Sequence, residues 1–192
     1  DDLIGSALQA GRARGHHGVI VSADKDLSQL LEGADEQWDY ARGVRWSAAG
    51  VRDRHGVEAH QIADYLALCG DAVDNIPGVP GIGSKTAASL LHHFRTLDAL
   101  LERSDEIQFL RFRGAGQVGP KLRQHADAAR LYRQLTTIAC DAPLGEGATG
   151  FARRTGDAEA LHALCEALRF GPLTRRRLHS VAGLDYAPPA MA

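Results

Sequence analysis

Between residues 77 and 83 the chain reads Pro77-Gly78-Val79-Pro80-Gly81-Ile82-Gly83, and no other stretch limits its possible folds so strongly. Glycine lets a backbone turn through left-handed conformations and lie close to another backbone, while proline fixes φ and stiffens what lies between. Such a segment continues neither a helix nor a strand. Before it, Ala59 to Cys69 carries Ile62, Leu66 and Cys69 at helical spacing; after it, Ser84 opens a second helix that runs through Phe94. The pattern is helix, tight multi-turn loop, helix. The start of the second helix offers free N–H groups and the positive end of its dipole, with Lys85 adding charge, which is how helix starts bind phosphate. A P-loop is excluded by spacing: GxxxxGK[ST] needs lysine directly after Gly83, where Ser84 stands, and no apolar strand leads in. A plain helix-turn-helix corner remains as the alternative, although so much glycine is an entropically costly way to make one.

Around this loop the chain divides in character. Leu3 to Ala13 has helical spacing, Val19-Ile20-Val21 is a β-branched run of the kind found in buried parallel strands, Leu27 to Leu31 reads as a short helix, and Gln37 to Ala41 as a second strand. After Trp46 the pattern is helical: Ser47 is an N-cap for Ala48 to His55, and four or five helices follow Leu97, broken near Gly114 to Gly119, Pro143 to Gly150 and Gly171-Pro172, with Ala187 to Ala192 a frayed tail. The expected class is α/β, a partial parallel sheet followed by a mostly helical region. The expected divisions are 1–46, the α/β part; 47–140, the helical region with the loop; and 141–192, a C-terminal helical segment. Two short strands make an incomplete sheet, and the chain opens inside a helical pattern, so an N-terminal portion is expected upstream of Asp1.

A chain of 192 residues with 44% hydrophobic residues has enough apolar side chains for a proper core. Cys69, Cys140 and Cys165 are odd in number and far apart, which suggests neither a disulfide framework nor a zinc site and fits a reducing cytoplasm. No apolar run approaches the roughly 18 residues that cross a bilayer, so no membrane partner is expected. The net charge of −2 hides an uneven distribution. Acids cluster between Asp1 and Asp39, whereas Arg103, Arg111, Arg113, Lys121, Arg123 and Arg130 follow later, an arrangement that suits a cation site beside a phosphate-binding surface or ordinary solvated helix faces.

Three acidic pairs stand at element boundaries: Asp1-Asp2, Asp24 with Asp26 directly after the first strand, and Asp71 with Asp74 at the start of the loop. Carboxylates are natural ligands of hard cations such as Mg²⁺ and Mn²⁺, and crowded carboxylates repel unless a cation compensates them. Two such ions about 4 Å apart activate a water on one side of a phosphodiester and stabilise the leaving oxygen on the other. Aspartate also serves as a helix cap and turn residue, and each pair taken alone is compatible with that role.

Asp1-Asp2-Leu3-Ile4-Gly5, Ser22-Ala23-Asp24-Lys25-Asp26-Leu27 and Gly70-Asp71-Ala72-Val73-Asp74-Asn75-Ile76-Pro77-Gly78 through Ala87 together resemble the 5'-nuclease domain of bacterial DNA polymerase I and its standalone relatives. The likeness continues more weakly through Phe112 to Ala115 and Gln134 to Asp141, covering most of the chain. It implies a PIN-like nuclease core and a structure-specific 5'-3' exonuclease or flap endonuclease of DNA replication and repair, acting as a cytoplasmic monomer on DNA with 5' ends or flaps. It makes Asp1, Asp2, Asp24, Asp26, Asp71 and Asp74 catalytic residues that bind two Mg²⁺ or Mn²⁺ ions: Asp1, Asp2, Asp24 and Asp26 as metal ligands, directly or through water, and Asp71 and Asp74 as ligands of the second metal. It further implies a helix-three-turn-helix motif that grips duplex phosphates through Gly78, Gly81, Gly83, Ser84, Lys85 and Thr86, with K⁺ held by the backbone carbonyls of Val79 and Ile82. The family's first strand with its aspartate, the acid before Asp1-Asp2 and the helical arch that threads a 5' end would all precede residue 1. The 192-residue chain by itself is therefore expected to cleave poorly. A non-catalytic DNA-binding module of the same fold is the alternative, and it predicts a degraded acid set.

The weaker signals have plainer readings. His16-His17 and His92-His93 read as solvated; Trp38, Trp46, Phe94, Phe109 and Phe112 as core rather than base-stacking residues; and Arg175-Arg176-Arg177 as either a phosphate contact or the close of a surface helix.

Overall fold

The computed structural model describes residues 1–112, 114–145 and 155–186. They fall into two compact units, residues 1–144 and residues 145–192. The anticipated fraying of Ala187 to Ala192, and Arg113 of the basic series, lie outside the described residues.

The first unit opens with helix α1 (Asp2–Arg12) and strand β1 (Val19–Val21), followed by a 3₁₀ helix over Asp26–Leu30. Strands β2 (Glu36–Asp39) and β3 (Val44–Ser47) complete a sheet of order β1-β2-β3. β1 pairs with β2 in parallel, as expected, with Ile20 opposite Gln37. β3 was not expected, and it runs antiparallel to β2, with Trp46 opposite Gln37, so the sheet is mixed rather than parallel. The reason is length: the turn Tyr40–Gly43, closed by the Gly43 N–H donating to the Tyr40 carbonyl at 3.2 Å, is far too short for the crossover that a parallel partner requires. That turn also ends β2 at Asp39 rather than Ala41.

The sheet is fixed by polar side chains in its interior. Gln37 is fully buried; its amide donates to the carbonyls of Ser22 (3.1 Å) and Asp24 (2.5 Å), and its oxygen accepts from the Ser28 hydroxyl at 2.7 Å. Trp46 Nε1 in turn donates to Ser28 Oγ at 3.2 Å. A chain that buries amides and hydroxyls must pair them, and here the pairing ties the loop after β1 to β2 and β3. Asp35 does the same at the other end: it accepts from the Gly18 N–H at 2.7 Å and from Arg12 Nε at 2.8 Å, joining α1 to the start of β1.

The helices that follow are α2 (Ala48–His55), α3 (Ile62–Cys69), α4 (Ser84–Phe94), α5 (Leu97–Glu102), α6 (Ala115–Gln124) and α7 (Ala126–Thr136). The single helix anticipated over Ala59–Cys69 divides into a 3₁₀ turn, Ala59–Gln61, and α3. Leu66, Leu68, Leu90, Leu91, Leu97, Leu100, Ile107 and Leu122 are buried together in one core with Ile20, Leu27 and Trp46 from the sheet side. The break anticipated over Gly114–Gly119 is confined to Gly114, since α6 runs through Gly119 and Pro120. Gly119 serves packing instead: a Cβ there would lie 2.6 Å from the Ser104 carbonyl, so only glycine lets α6 press against the 3₁₀ helix Ser104–Phe109. Phe94 is buried and Phe112 packs on the core, but Phe109 is 78% exposed and is not a core residue.

The second unit holds α8 (Ala158–Ala167) and α9 (Pro172–Ala182). Arg175 donates to the carbonyls of Phe170 (2.6 Å) and Cys165 (3.2 Å), so the first arginine of the Arg175–Arg177 run closes the turn between these helices. Cys69, Cys140 and Cys165 are free thiols. Among the described residues, no helix is long and apolar enough to cross a membrane.

Candidate metal centre and nucleic-acid loop

Asp71 follows α3 because Gly70 ends that helix in a left-handed conformation, φ 81°. The six residues Asp71–Ile76 then fold back on themselves. The Asp71 N–H donates to the Ile76 carbonyl and the Ile76 N–H to the Asp71 carbonyl, both at 2.8 Å, with Asn75 at φ 55° making the reversal. Asp71 Oδ1 accepts from the Val73 N–H at 3.0 Å, which leaves Oδ2 for other partners. This tight turn is what sets Asp71 and Asp74 beside each other.

Asp26 arrives from the sheet. It begins the 3₁₀ helix after β1, where its N–H donates to Asp24 Oδ1 at 3.0 Å. Carboxylate oxygens of Asp26, Asp71 and Asp74 all lie within 4.8 Å of one another. Asp26 and Asp71 are buried and Asp74 is exposed. Asp24 is thus bound to the group through the Asp26 backbone and does not itself join the cluster of three.

Asp1 and Asp2 reach the same place from the start of α1. Gly5 allows α1 to lie against residues 138–140, since a Cβ there would already touch Cys140 and Ile138. Asp2 Oδ1 accepts from the Ala139 N–H at 3.0 Å, and Ser6 Oγ from the Ala142 N–H at 2.9 Å. A cavity of about 190 Å³ is lined by Asp1, Asp2, Asp26 and Asp74 on the acid side and by Leu135 to Ile138 from the end of α7. Gln29 locks that wall in position: its amide donates to the carbonyls of Asp26 (3.0 Å) and Thr136 (2.9 Å), and its oxygen accepts from the Ile138 N–H at 2.9 Å. Members of all three acidic pairs, far apart in sequence, therefore come near one another: Asp1, Asp2, Asp26 and Asp74 line the cavity, Asp71 joins Asp26 and Asp74 in the cluster, and Asp24 is linked to it only through the Asp26 backbone.

Electrostatics there are unbalanced. Burial, then a hydrogen bond with Asp74, push the Asp26 carboxyl up to about 7, although Lys25 pulls the other way. Asp71 is also pushed up by burial, but Lys25 and the backbone N–H groups outweigh this and hold it below the usual carboxylate range. Lys25 Nζ lies 2.5 Å from Asp71 Oδ2 and 4.0 Å from Asp26 Oδ1. Sequence reasoning passed over this lysine, because a sequence shows that it sits between two aspartates and not that its side chain turns inward. Asp26 Oδ1 is buried without a hydrogen bond, and Asp71 Oδ2 is buried with the Lys25 ammonium against it. Buried carboxylate oxygens are normally satisfied, and two such oxygens facing a third carboxylate are a donor set for a hard cation.

The loop packs as its glycines demand. Gly70 and Gly78, at φ 81° and 69°, lie back to back: a Cβ on Gly70 would stand 2.8 Å from the Ile76 and Pro77 carbonyl oxygens, and one on Gly78 would strike the Gly70 backbone. The Val79 N–H donates to the Leu68 carbonyl at 2.9 Å, and the Val79 carbonyl accepts from the Ile82 N–H at 3.0 Å. Val79 and Ile82 point their side chains into the core, while Gly81, Gly83, Ser84 and Lys85 are exposed and Thr86 is half-buried. Lys121 of α6 reaches this loop, its ammonium 2.7 Å from where a Gly81 Cβ would be. Other cations of the basic stretch are engaged in ion pairs, Arg103 with Glu106, Arg130 with Asp127 and Arg133 with Asp98. His16, His17, His92 and His93 are exposed.

Residues 57–159 match the family described as 5'-3' exonuclease, C-terminal SAM fold. The chain belongs to the 5'-3' exonuclease family. The thermostable DNA polymerase I of Thermus aquaticus is 36% identical over 191 residues, which is 98% of this chain and 22% of that protein. The flap endonuclease Xni of Shewanella amazonensis is 38% identical over 144 residues, 75% of this chain and 54% of that protein. The chain thus spans about a fifth of the polymerase and about half of the flap endonuclease. Among solved structures, the T5 5'-exonuclease with bound divalent zinc superimposes with a TM-score of 0.60 at 16% identity, covering 95% of this chain and 58% of that one. A complex of the T5 D15 flap endonuclease with DNA and metal ions gives 0.59 at 16% identity, covering 95% and 59%. At that identity the likeness establishes a shared mixed α/β fold, mostly helical with a small sheet.

Proposed function

We propose that the chain is the metal- and DNA-binding part of a structure-specific 5'-3' exonuclease or flap endonuclease that hydrolyses DNA phosphodiesters near 5' ends. The observation that carries this reading is the clustering of carboxylate oxygens of Asp26, Asp71 and Asp74 within 4.8 Å of one another, beside a cavity that Asp26 and Asp74 line together with Asp1 and Asp2. Membership of the 5'-3' exonuclease family and the names of the relatives support it.

Asp26, Asp71 and Asp74 would hold a Mg²⁺ or Mn²⁺ ion, and Asp1, Asp2 and Asp24 would serve a second, directly or through water. Divalent ions in such a site supply an activated water and charge stabilisation for the leaving oxygen. The protein's own residues do the rest. Gln29 and Gln37 keep the acid-bearing loop from relaxing, so the carboxylates meet the ion in a fixed arrangement. Gly81, Gly83, Ser84 and Lys85, all exposed, form a helix-three-turn-helix grip on the phosphates of duplex DNA, using the N–H groups at the start of α4 and the Lys85 and Lys121 ammonium groups. A K⁺ ion held by the Val79 and Ile82 carbonyls belongs to the same reading of this turn, in which the Val79 carbonyl also accepts from the Ile82 N–H.

The test is single-turnover cleavage of a 5'-labelled flap substrate in Mg²⁺ or Mn²⁺, comparing the chain with its Asp71→Ala/Asp74→Ala variant, alongside binding of the same DNA. Even a low rate is diagnostic. Divalent-dependent cleavage that falls by about 100-fold or more in the variant, with DNA binding nearly unchanged, is the expected result. Equal cleavage by both forms would remove these acids from the chemistry, and tight DNA binding with no cleavage in any metal would favour the non-catalytic module.

A further inference from the structure

Lys25 is a cation in direct contact with the acid cluster, and its geometry is particular. It stands between Asp24 and Asp26 in sequence, yet its side chain turns onto Asp71, which belongs to a different element. The Lys25 side chain is 37% exposed and that of Asp71 only 3%, so the ammonium reaches from the surface onto a buried carboxylate. The ammonium lies 2.5 Å from Asp71 Oδ2, whereas Asp26 Oδ1, 4.0 Å from Nζ, is buried without a hydrogen bond. Both residues are more than nine-tenths buried, at 5% and 7% exposure. A lysine head is a compact point charge on a flexible stem, which makes it easy to displace.

We propose that Lys25 is the built-in counter-ion of this acid cluster: it neutralises Asp71 until a divalent cation enters, surrenders that carboxylate to the ion, and so sets the concentration at which the ion binds. The proposal rests on the reading above that Asp26, Asp71 and Asp74 hold divalent cations. Three carboxylates within one ion's reach repel each other, and an ammonium against the most buried of them offsets part of that repulsion. The same ammonium opposes an incoming divalent ion, both by occupying a ligand oxygen and by its like charge. The sign of its effect separates this role from simple bracing. A lysine that only braced the loop would, when removed, loosen the ligands and weaken metal binding; a competing counter-ion, when removed, strengthens it.

The experiment is titration of the 192-residue chain with Mn²⁺, following the free ion by electron paramagnetic resonance, for the wild type, Lys25→Met and Lys25→Arg. Far-UV circular dichroism reports folding of each, and Lys25→Gln replaces Lys25→Met if that variant does not fold. The neutral variant is expected to bind Mn²⁺ about tenfold more tightly, the order that follows from removing one like charge a few ångströms away in a partly screened site. Lys25→Arg, which keeps the charge, is expected to stay within about threefold of the wild type. Unchanged or weaker binding by the neutral variants, with Mn²⁺ still bound by the wild type, overturns the counter-ion role alone. Absence of Mn²⁺ binding in every form overturns the divalent site and this proposal with it.

Discussion

Asp35 shows how single residues hold the site in place from a distance. It is buried, which pushes its carboxyl up, but the Gly18 N–H and Arg12 outweigh burial and leave it below its ordinary value. A carboxylate depressed in the folded state adds stability above its unfolded value and loses it as pH falls through the folded one. Asp35→Asn is therefore expected to lower stability by about 2 to 3 kcal/mol at pH 7, with the gap from the wild type closing in acid, below the ordinary carboxylate range. Chemical unfolding at neutral and acid pH checks this; a gap that persists in acid would mean that Asp35 acts by shape and not by charge. At this scale the sequence was readable where chemistry follows from residue type. Asp24, Asp26, Asp71 and Asp74 drew attention because acids gathered at element boundaries are unusual. Lys25, Gln29 and Gln37 did not, because their importance lies in which way the side chains point across the fold. Phe109 misled for a related reason: apolar composition predicts burial only when a neighbour covers the ring, and Phe109 is 78% exposed.

Among the elements, the loop between α3 and α4 was the most legible, since glycine at φ near 70° to 80° and proline beside it leave few alternatives. The bounds of α4 agree with the spacing of its apolar residues, Ser84 to Phe94. β3 was hidden: four residues with two exposed give almost no alternation to detect, and the strand owes its existence to pairing with β2. The loop's glycines also make a sharp contrast in mutation. Gly78→Ala puts a Cβ into the Gly70 backbone at a left-handed φ and should cost on the order of 2 kcal/mol or more. Gly83→Ala meets no atom within 4 Å at an ordinary φ of −93° and should cost about 1 kcal/mol or less, as expected for a cap position. Urea unfolding of the two variants measures the difference; equal losses would show that the close approach of Gly70 and Gly78 is not what constrains the loop.

Taken as a whole molecule, the first unit brings together acids that arrive by three routes: the start of α1, the loop after β1 and the turn after α3. The end of α7 supplies the facing wall. Hydrophobic spacing identified most of the helices that carry these residues, but their meeting is a tertiary fact, set by Gly5 against residues 138–140, by Gln29 bridging to Thr136 and Ile138, and by the folded-back turn at Asp71–Ile76. The account therefore stands on a cation site assembled by the fold. Crystals of the chain soaked in Mn²⁺ and measured at the manganese absorption edge test it directly. An anomalous peak about 2 Å from carboxylate oxygens of Asp26, Asp71 and Asp74 is the predicted result; a fully soaked crystal with no peak among those three side chains, or with its peaks elsewhere, would contradict it.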